Sequence, residues 1–217
     1  MKTNYQIVLN KELEKIEKSE KKPSLLLHAC CAPCSSYVLE YLNGFFDITV
    51  FFYNPNISPE SELKKRSAEL TRLIGEMPLT RPVKFTEGEY DAERFLEISR
   101  GLEDIPEGGE RCFRCYELRL RRAAEEAKNG GFDYFTTTLS ISPHKNAQKL
   151  NELGGKIAEE IGINYLFSDF KKRNGYKRSC ELSEIYGLYR QNYCGCVYSK
   201  AEAASRENAV KDQTPSI

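Results

Sequence analysis

Five short runs rich in aliphatic, aromatic and β-branched residues recur along the chain, and helix-like segments lie between them. The runs are "SLLLHA" (24–29), "DITVFFYN" (47–54), "PVKFTEG" (82–88), "DYFTTTLS" (133–140) and "INYLFSD" (163–169). Helices are expected at 33–44, 58–77, 90–102, 111–131 and 144–162, with a shorter one at 180–188. Strands alternating with helices define βαβ units, so the expected fold is α/β: a doubly wound parallel sheet of about five strands. In such sheets ligands bind beyond the carboxyl ends of the strands.

The 217 residues suffice for one sizeable core. Residues 10–21 mix charges with Leu13 and Ile16 and predict an N-terminal surface helix within 1–22. Residues 23–199 read as the main domain, and 200–217 as a polar tail in which a helix fades out. Lys+Arg and Asp+Glu balance at 32 each, so any polyanionic partner must be held by a local patch. The opening "MKTNYQIVLNKELEKIEKSEKK" is too polar for a signal peptide, and no apolar run approaches the roughly 20 residues of a membrane helix. The expected location is the cytoplasm, without membrane contact. Eight cysteines there point to metal, cluster or redox chemistry rather than to structural disulfides.

Three of the cysteines crowd the end of the first strand in "LLLHACCAPCSS" (25–36). Cys31-Ala32-Pro33-Cys34, between a strand and a helix, has the form of a thioredoxin-type motif, and a helix start lowers a thiol pKa. Cys112-Phe113-Arg114-Cys115 is a second CxxC, the common bidentate grip on zinc or an iron–sulfur cluster. Structural zinc is the plainer alternative. The adjacent pair Cys30-Cys31 argues against it, because neighbouring thiolates more easily reach two corners of a larger cluster. Tyr37 excludes the CxxxCxxC of radical enzymes. Cys194-Gly195-Cys196 is compatible with a small, easily reduced disulfide ring or with two unrelated thiols around a glycine turn. Cys180 alone reads as a core thiol, and His28 as a satisfied core histidine.

No P-loop or G-x-G-x-x-G motif is present. Two basic runs remain. "RLRRAAEEAK" (119–128) alternates with acids and reads as a solvated helix face. "DFKKRNGYKRS" (169–179) follows the fifth strand. Its Lys171, Lys172, Arg173, Lys177 and Arg178, with Tyr176 as a stacking ring, form a candidate RNA contact, against the alternative of a solvated loop.

The stretches "LLLHACCAPCSSY", "FYNPNISP", "RCFRCYELRLRRAAEEA", "FDYFTTTLSISPHKN" and "DFKKRNGYKRSCELSEIYGLYRQNYCGCVYS" closely resemble the QueH type of epoxyqueuosine reductase, from about residue 24 to 199. The resemblance implies a Rossmann-like fold of the adenine nucleotide alpha-hydrolase type. It implies an enzyme of the last step of queuosine synthesis, reducing epoxyqueuosine at the wobble position of tRNA without cobalamin. It further implies a 4Fe-4S cluster on Cys30, Cys31, Cys112 and Cys115, a redox-active disulfide between Cys194 and Cys196, and an additional mononuclear iron. Cys34, Cys180, Asp169 and His28 are the candidate ligands of that iron. The implied partners are the epoxyqueuosine-bearing tRNA and an unidentified electron donor. Two other readings stand beside this one: a thioredoxin-like thiol-disulfide oxidoreductase and a zinc-stabilised RNA-binding module.

Overall fold

The computed structural model of the protein describes residues 3–212. The strands are β1 (Ser24–His28), β2 (Asp47–Phe52), β3 (Lys84–Glu87), β4 (Tyr134–Thr137) and β5 (Asn164–Tyr165). The helices are α1 (Tyr5–Glu17), α2 (Ala32–Leu42), α3 (Glu60–Glu76), α4 (Ala92–Ser99), α5 (Glu110–Asn129), α6 (Ala147–Ile161), α7 (Gly175–Ile185) and α8 (Val197–Asp212). The strands form one sheet in the order β3-β2-β1-β4-β5, and every adjacent pair is parallel. The expected α/β doubly wound sheet is therefore the fold.

Side chains alternate across a strand, so the apolar runs feed two cores. Leu25 and Leu27 of β1 join Ile48, Val50 and Phe52 of β2 on one face, under α1, α2 and α3. Leu26 joins Phe51 and Phe135 on the other face, under α5 and α6. Each of these buried leucines contributes roughly 2 kcal/mol. The helix α1 starts at Tyr5 because the Asn4 side chain accepts from the Gln6 N–H (3.2 Å). Its Leu9, Leu13 and Ile16 lie in the first core, so the helix belongs to the same folding unit.

Several elements are shorter or shifted relative to the sequence pattern. The strand β4 stops at Thr137 instead of Ser140, because the chain tightens into a 3-10 turn (Thr138–Ile141). There the Thr137 hydroxyl accepts from the Leu139 N–H (3.2 Å). Only two residues of 163–169 are ladder-paired. Beyond them the Asn151 side chain replaces a strand, accepting from Ser168 N (2.9 Å) and donating to Ser168 O (2.8 Å). The helix α7 begins five residues before the expected 180, where Arg173 and Asn174 turn the chain in the left-handed region. Gly175 must follow, since a Cβ there would overlap the Phe170 carbonyl oxygen. The helix α8 runs through most of the segment expected to be a tail. The loose end expected at 213–217 lies outside the described residues.

Candidate metal and redox centre

The strands β1 and β4 are neighbours in the sheet, yet the helices that follow them cover opposite faces. This is the topological switch point at which open parallel sheets bind ligands. Cys30 and Cys31 emerge there from β1, and Cys31 is the N-cap of α2. From the opposite face the start of α5 brings Cys112 and Cys115 within its first two turns.

The thiol sulfurs of Cys30, Cys31 and Cys34 all lie within 4.8 Å of one another. Cys30 Sγ is 3.7 Å from Cys31 Sγ and 3.9 Å from Thr138 Oγ1. The thiols of Cys31 and Cys34 hydrogen-bond to Cys30 and hold its pKa well below the usual thiol value, against the opposing effect of burial. The Arg119 charge adds to that lowering. Cys31 and Cys34 are raised in turn, first because each donates to Cys30. The triad thus places three thiols at the positive end of α2, as a soft donor set able to hold a metal.

A second group lies beside it. Cys112, Cys115, Cys194 and Cys196 border a void of about 10 Å³ together with Asn56 and Tyr116. Burial pushes the Cys115 thiol up to about 12 and raises Cys112 as well. All eight cysteines stand as free thiols. Gly195 makes the turn between Cys194 and Cys196 at φ 120, which favours glycine, and a Cβ would come within 2.9 Å of Ile57. The segment is strapped down by Arg66 Nη1 donating to Cys194 O and by Ser58 N donating to Gly195 O, both at 3.0 Å.

The two groups share a wall. Cys194, Glu107, Arg119 and Lys145 border both the small void and a neighbouring cleft of about 180 Å³, which Cys30, Cys31 and Cys34 also line. Four buried cations surround the thiols: Arg66, Arg111, Arg119 and Lys145. Burial opposes the charge of Lys145, yet Cys194, Tyr116 and Glu107 outweigh it and raise its pKa well above the usual lysine value. Several polar atoms facing this region are buried without a hydrogen-bond partner: both amide atoms of Asn56, Arg66 Nη2, Tyr116 OH, and Arg119 Nε and Nη2. Buried polar groups are ordinarily satisfied, so this concentration marks a place prepared for a guest. Soft thiolates, orphaned donors and adjacent cavities fit an anionic, thiolate-held metal group.

The other residues singled out in the sequence fall elsewhere. His28 is fully buried with both ring nitrogens engaged: Nδ1 with Thr137 Oγ1 (2.8 Å) and Nε2 with Tyr53 O (3.0 Å). Burial first, and the Arg119 charge second, lower its pKa to about 4. It is a satisfied core histidine with no nitrogen turned to a metal. Asp169 pairs with Lys171 (3.2 Å), and Cys180 sits on α7 outside the thiol triad. In the second basic run Lys171 Nζ folds back onto Ser140 O (2.9 Å), and Arg178 grips Glu40 (2.7 and 3.0 Å). Lys172, Arg173 and Lys177 remain exposed. Tyr176 lines the cleft, with the Arg190 guanidinium 5.8 Å from its ring centre.

The reading of 119–128 as a solvated face needs correction at its first residue. Arg119 is 1% exposed, because the first turns of α5 face inward under the 103–110 loop and the Cys194–Cys196 strap. Arg121 and Arg122 do lie on the outer side, paired with Glu160 and Glu89. The signal for Arg119 was its spacing: it follows Cys112 by seven residues and Cys115 by four, on the same helix face. Arg66, Asn56 and Lys145 carried no comparable mark.

Taken together, fold and site define a Rossmann-like α/β protein with a thiol-rich centre, able to hold a metal at its sheet switch point. Comparison with known proteins makes this specific. The family model described as Epoxyqueuosine reductase QueH matches residues 25–202, and the chain belongs to that family. The QueH epoxyqueuosine reductase of Streptococcus pyogenes serotype M1 is 46% identical over 200 residues, which are 91% of this chain and 78% of the relative. That of Staphylococcus aureus (strain Mu50) is 41% identical, covering 91% of this chain and 84% of the relative. The Thermotoga maritima QueH is 37% identical, covering 86% and 95%. These relationships favour the reductase over the thioredoxin-like and zinc-module readings. No helix among the described residues is long and apolar enough to cross a membrane.

Proposed function

We propose that the chain reduces epoxyqueuosine in the wobble position of tRNA to queuosine, the last step of queuosine biosynthesis. The carrying observation is the convergence of seven cysteines around one wall at the switch point, in a chain matched to the QueH family from residue 25 to 202. Opening the epoxide to an alkene takes two electrons and two protons and releases water. When bound, a 4Fe-4S cluster on Cys30, Cys31, Cys112 and Cys115 supplies electrons singly, and an additional iron offers a Lewis acid for the epoxide oxygen. Cys34 is the favoured ligand of that iron, since it alone of the four candidates joins the thiol triad.

The protein's own groups then divide the remaining work. Hydrogen bonds from Cys31 and Cys34 lower the pKa of Cys30 and so favour its role as a ligand. Cys194 and Cys196, converting from two thiols to a disulfide, release two electrons and two protons, which matches the demand of the reaction. An external donor, not yet identified, returns them to thiols. Lys145, held by Glu107 at 2.6 Å, keeps a positive charge in the shared wall. The exposed Lys172, Arg173 and Lys177 contact tRNA phosphates, while Tyr176 at the cleft stacks on a splayed anticodon base. Lys171 and Arg178 support this surface through their ion pairs. A tRNA substrate and eight thiols suit the reducing cytoplasm.

The test is anaerobic purification followed by iron and sulfide analysis and by mass spectrometry of nucleosides from treated tRNA. One cubane plus one ion requires about five irons per chain and a brown protein. Loss of the epoxide oxygen from the modified nucleoside is the expected turnover. Colourless protein carrying stoichiometric zinc after reconstitution would overturn the proposal.

A further inference from the structure

Of the four buried cations around the thiols, three have a carboxylate. Arg66 pairs with Glu62 (2.8 Å), Arg111 with Glu202 (3.0 Å) and Lys145 with Glu107 (2.6 Å). Arg119 differs. Among the described residues its one partner is the neutral Asn54 side chain, which accepts from Nη1 at 3.0 Å. Asn54 is itself anchored, donating to Ala29 O at the end of β1 (2.9 Å), so the guanidinium is held in place by the sheet. The Nε and Nη2 atoms have no partner, and the residue is 1% exposed. Buried charges are normally paired, because an isolated ion in the interior loses its hydration with nothing in return. An arginine cannot relieve this by losing its proton.

The position of Arg119 indicates what its counter-charge is. It borders both cavities, with Cys30, Cys31 and Cys34 on one side and Cys112, Cys115, Cys194 and Cys196 on the other. The carboxylate in that wall, Glu107, is taken by Lys145 (2.6 Å), and among the described residues none pairs with Arg119. The anionic thiolates of whatever group bridges the two cysteine sets are the charges within reach.

We infer that Arg119 is the fixed counter-charge of the thiolate-held group and that it sets the reduction potential of that group. It acts as a positioning residue: it binds no metal and transfers no proton. The inference rests on the cluster reading proposed above. Uptake of one electron makes the group more negative by one charge, and a buried positive charge favours that state more strongly than water would. Without Arg119 the same electron is harder to add. The plan of the site follows from this. Three cations are neutralised in advance by carboxylates and serve as walls, whereas the fourth is left open so that its charge is spent on the guest.

The test is an anaerobic titration of the reconstituted holoenzyme with dithionite and mediators, followed by electron paramagnetic resonance, for wild type, Arg119→Gln and Arg119→Lys. Arg119→Gln should reduce the ratio of reduced to oxidised cluster at a fixed poise about tenfold, equivalent to about 59 mV for one electron. Arg119→Lys keeps the charge and should recover most of that ratio. A Gln variant that titrates with wild type, or a Lys variant shifted as far as Gln, would overturn the inference while leaving the cluster reading intact. A wild-type protein that takes up no cluster would remove both. A second measurement covers a Gln variant that assembles no cluster: denaturant unfolding of metal-free, thiol-reduced Arg119→Met. An uncompensated charge predicts a midpoint equal to or above that of metal-free wild type, and a markedly lower midpoint would show that Arg119 serves the fold instead.

Discussion

At the amino ends of β1 and β4, polar groups close on one another. Ser24 donates to Asp133 Oδ2 from both its N–H and its hydroxyl, each at 2.8 Å, and Asp133 N returns a bond to Ser24 Oγ (3.0 Å). The Asn164 amide donates to Asp133 O (3.0 Å), and Tyr134 OH to Glu12 (2.7 Å). A groove of about 870 Å³ lies at this end, larger than the cleft at the other. At the carboxyl ends the pattern reverses. Among the described residues, the buried side-chain atoms with neither a hydrogen bond nor an ion pair belong to Asn56, Arg66, Tyr116 and Arg119, all on that side. Cavity size therefore does not identify the working edge. Polar dissatisfaction does: one edge is a finished seam, and the other is complete only with its guest.

Cysteine substitutions should break this contrast most sharply. Cys112→Ser or Cys115→Ser is expected to abolish the cluster absorbance, while the far-ultraviolet circular dichroism of the protein stays that of wild type. Neither thiol has a hydrogen-bonding role in the core that serine could not fill. Cys194→Ser should retain the absorbance and lose turnover. Bleaching by Cys194→Ser would show that the ligands are drawn from the Cys112, Cys115, Cys194 and Cys196 group instead.

The exposed cations beyond β5 give the next effect. Replacing Lys172, Arg173 and Lys177 together with Glu should weaken tRNA binding at least about tenfold at low salt and flatten its salt dependence, since phosphate contacts release counterions. The cluster spectrum, read first, should not change. Unchanged affinity with an unchanged slope would move the RNA contact to the Arg190 and Arg206 side of the cleft.

How much of this was legible depended on how local the deciding contact is. Short runs rich in aliphatic, aromatic and β-branched residues announced the sheet, and parallel topology then allowed Cys30 and Cys31 to face the same edge as the start of α5. The seven-residue spacing of Cys112 and Arg119 was also visible. Its meaning was hidden by the charged run "RLRRAAEEAK", in which only the first arginine turns inward. The fate of the second basic run was illegible for another reason. Lys171 is captured by a carbonyl 31 residues away and Arg178 by a carboxylate 138 residues away. The ends of β4 and β5 were misplaced because the Thr137 and Asn151 side chains take over from the ladder, an exchange that no propensity records.

The smallest effects come from one substitution at each edge, and they should differ in sign. Asn56 is 1% exposed, and both its amide atoms lack a partner, so the metal-free protein carries the desolvation cost of both. Asn56→Leu, close in volume, should stabilise the metal-free protein by about 1 kcal/mol and shorten the lifetime of the bound metal. Asp133→Ala should do the opposite, costing about 1 kcal/mol through the two Ser24 bonds it loses, with metal content unchanged. The second effect also has a pH signature. The Ser24 N–H first, and its hydroxyl next, hold the Asp133 carboxyl below its usual range. Its contribution is therefore complete above about pH 4, the ordinary value for an unfolded aspartate, and is lost as pH falls through the lower folded value. Denaturant midpoints of wild type and Asp133→Ala should accordingly converge in acid. If Asn56→Leu instead destabilises the metal-free protein as Asp133→Ala does, the carboxyl edge is as finished as the amino edge and the contrast between them fails.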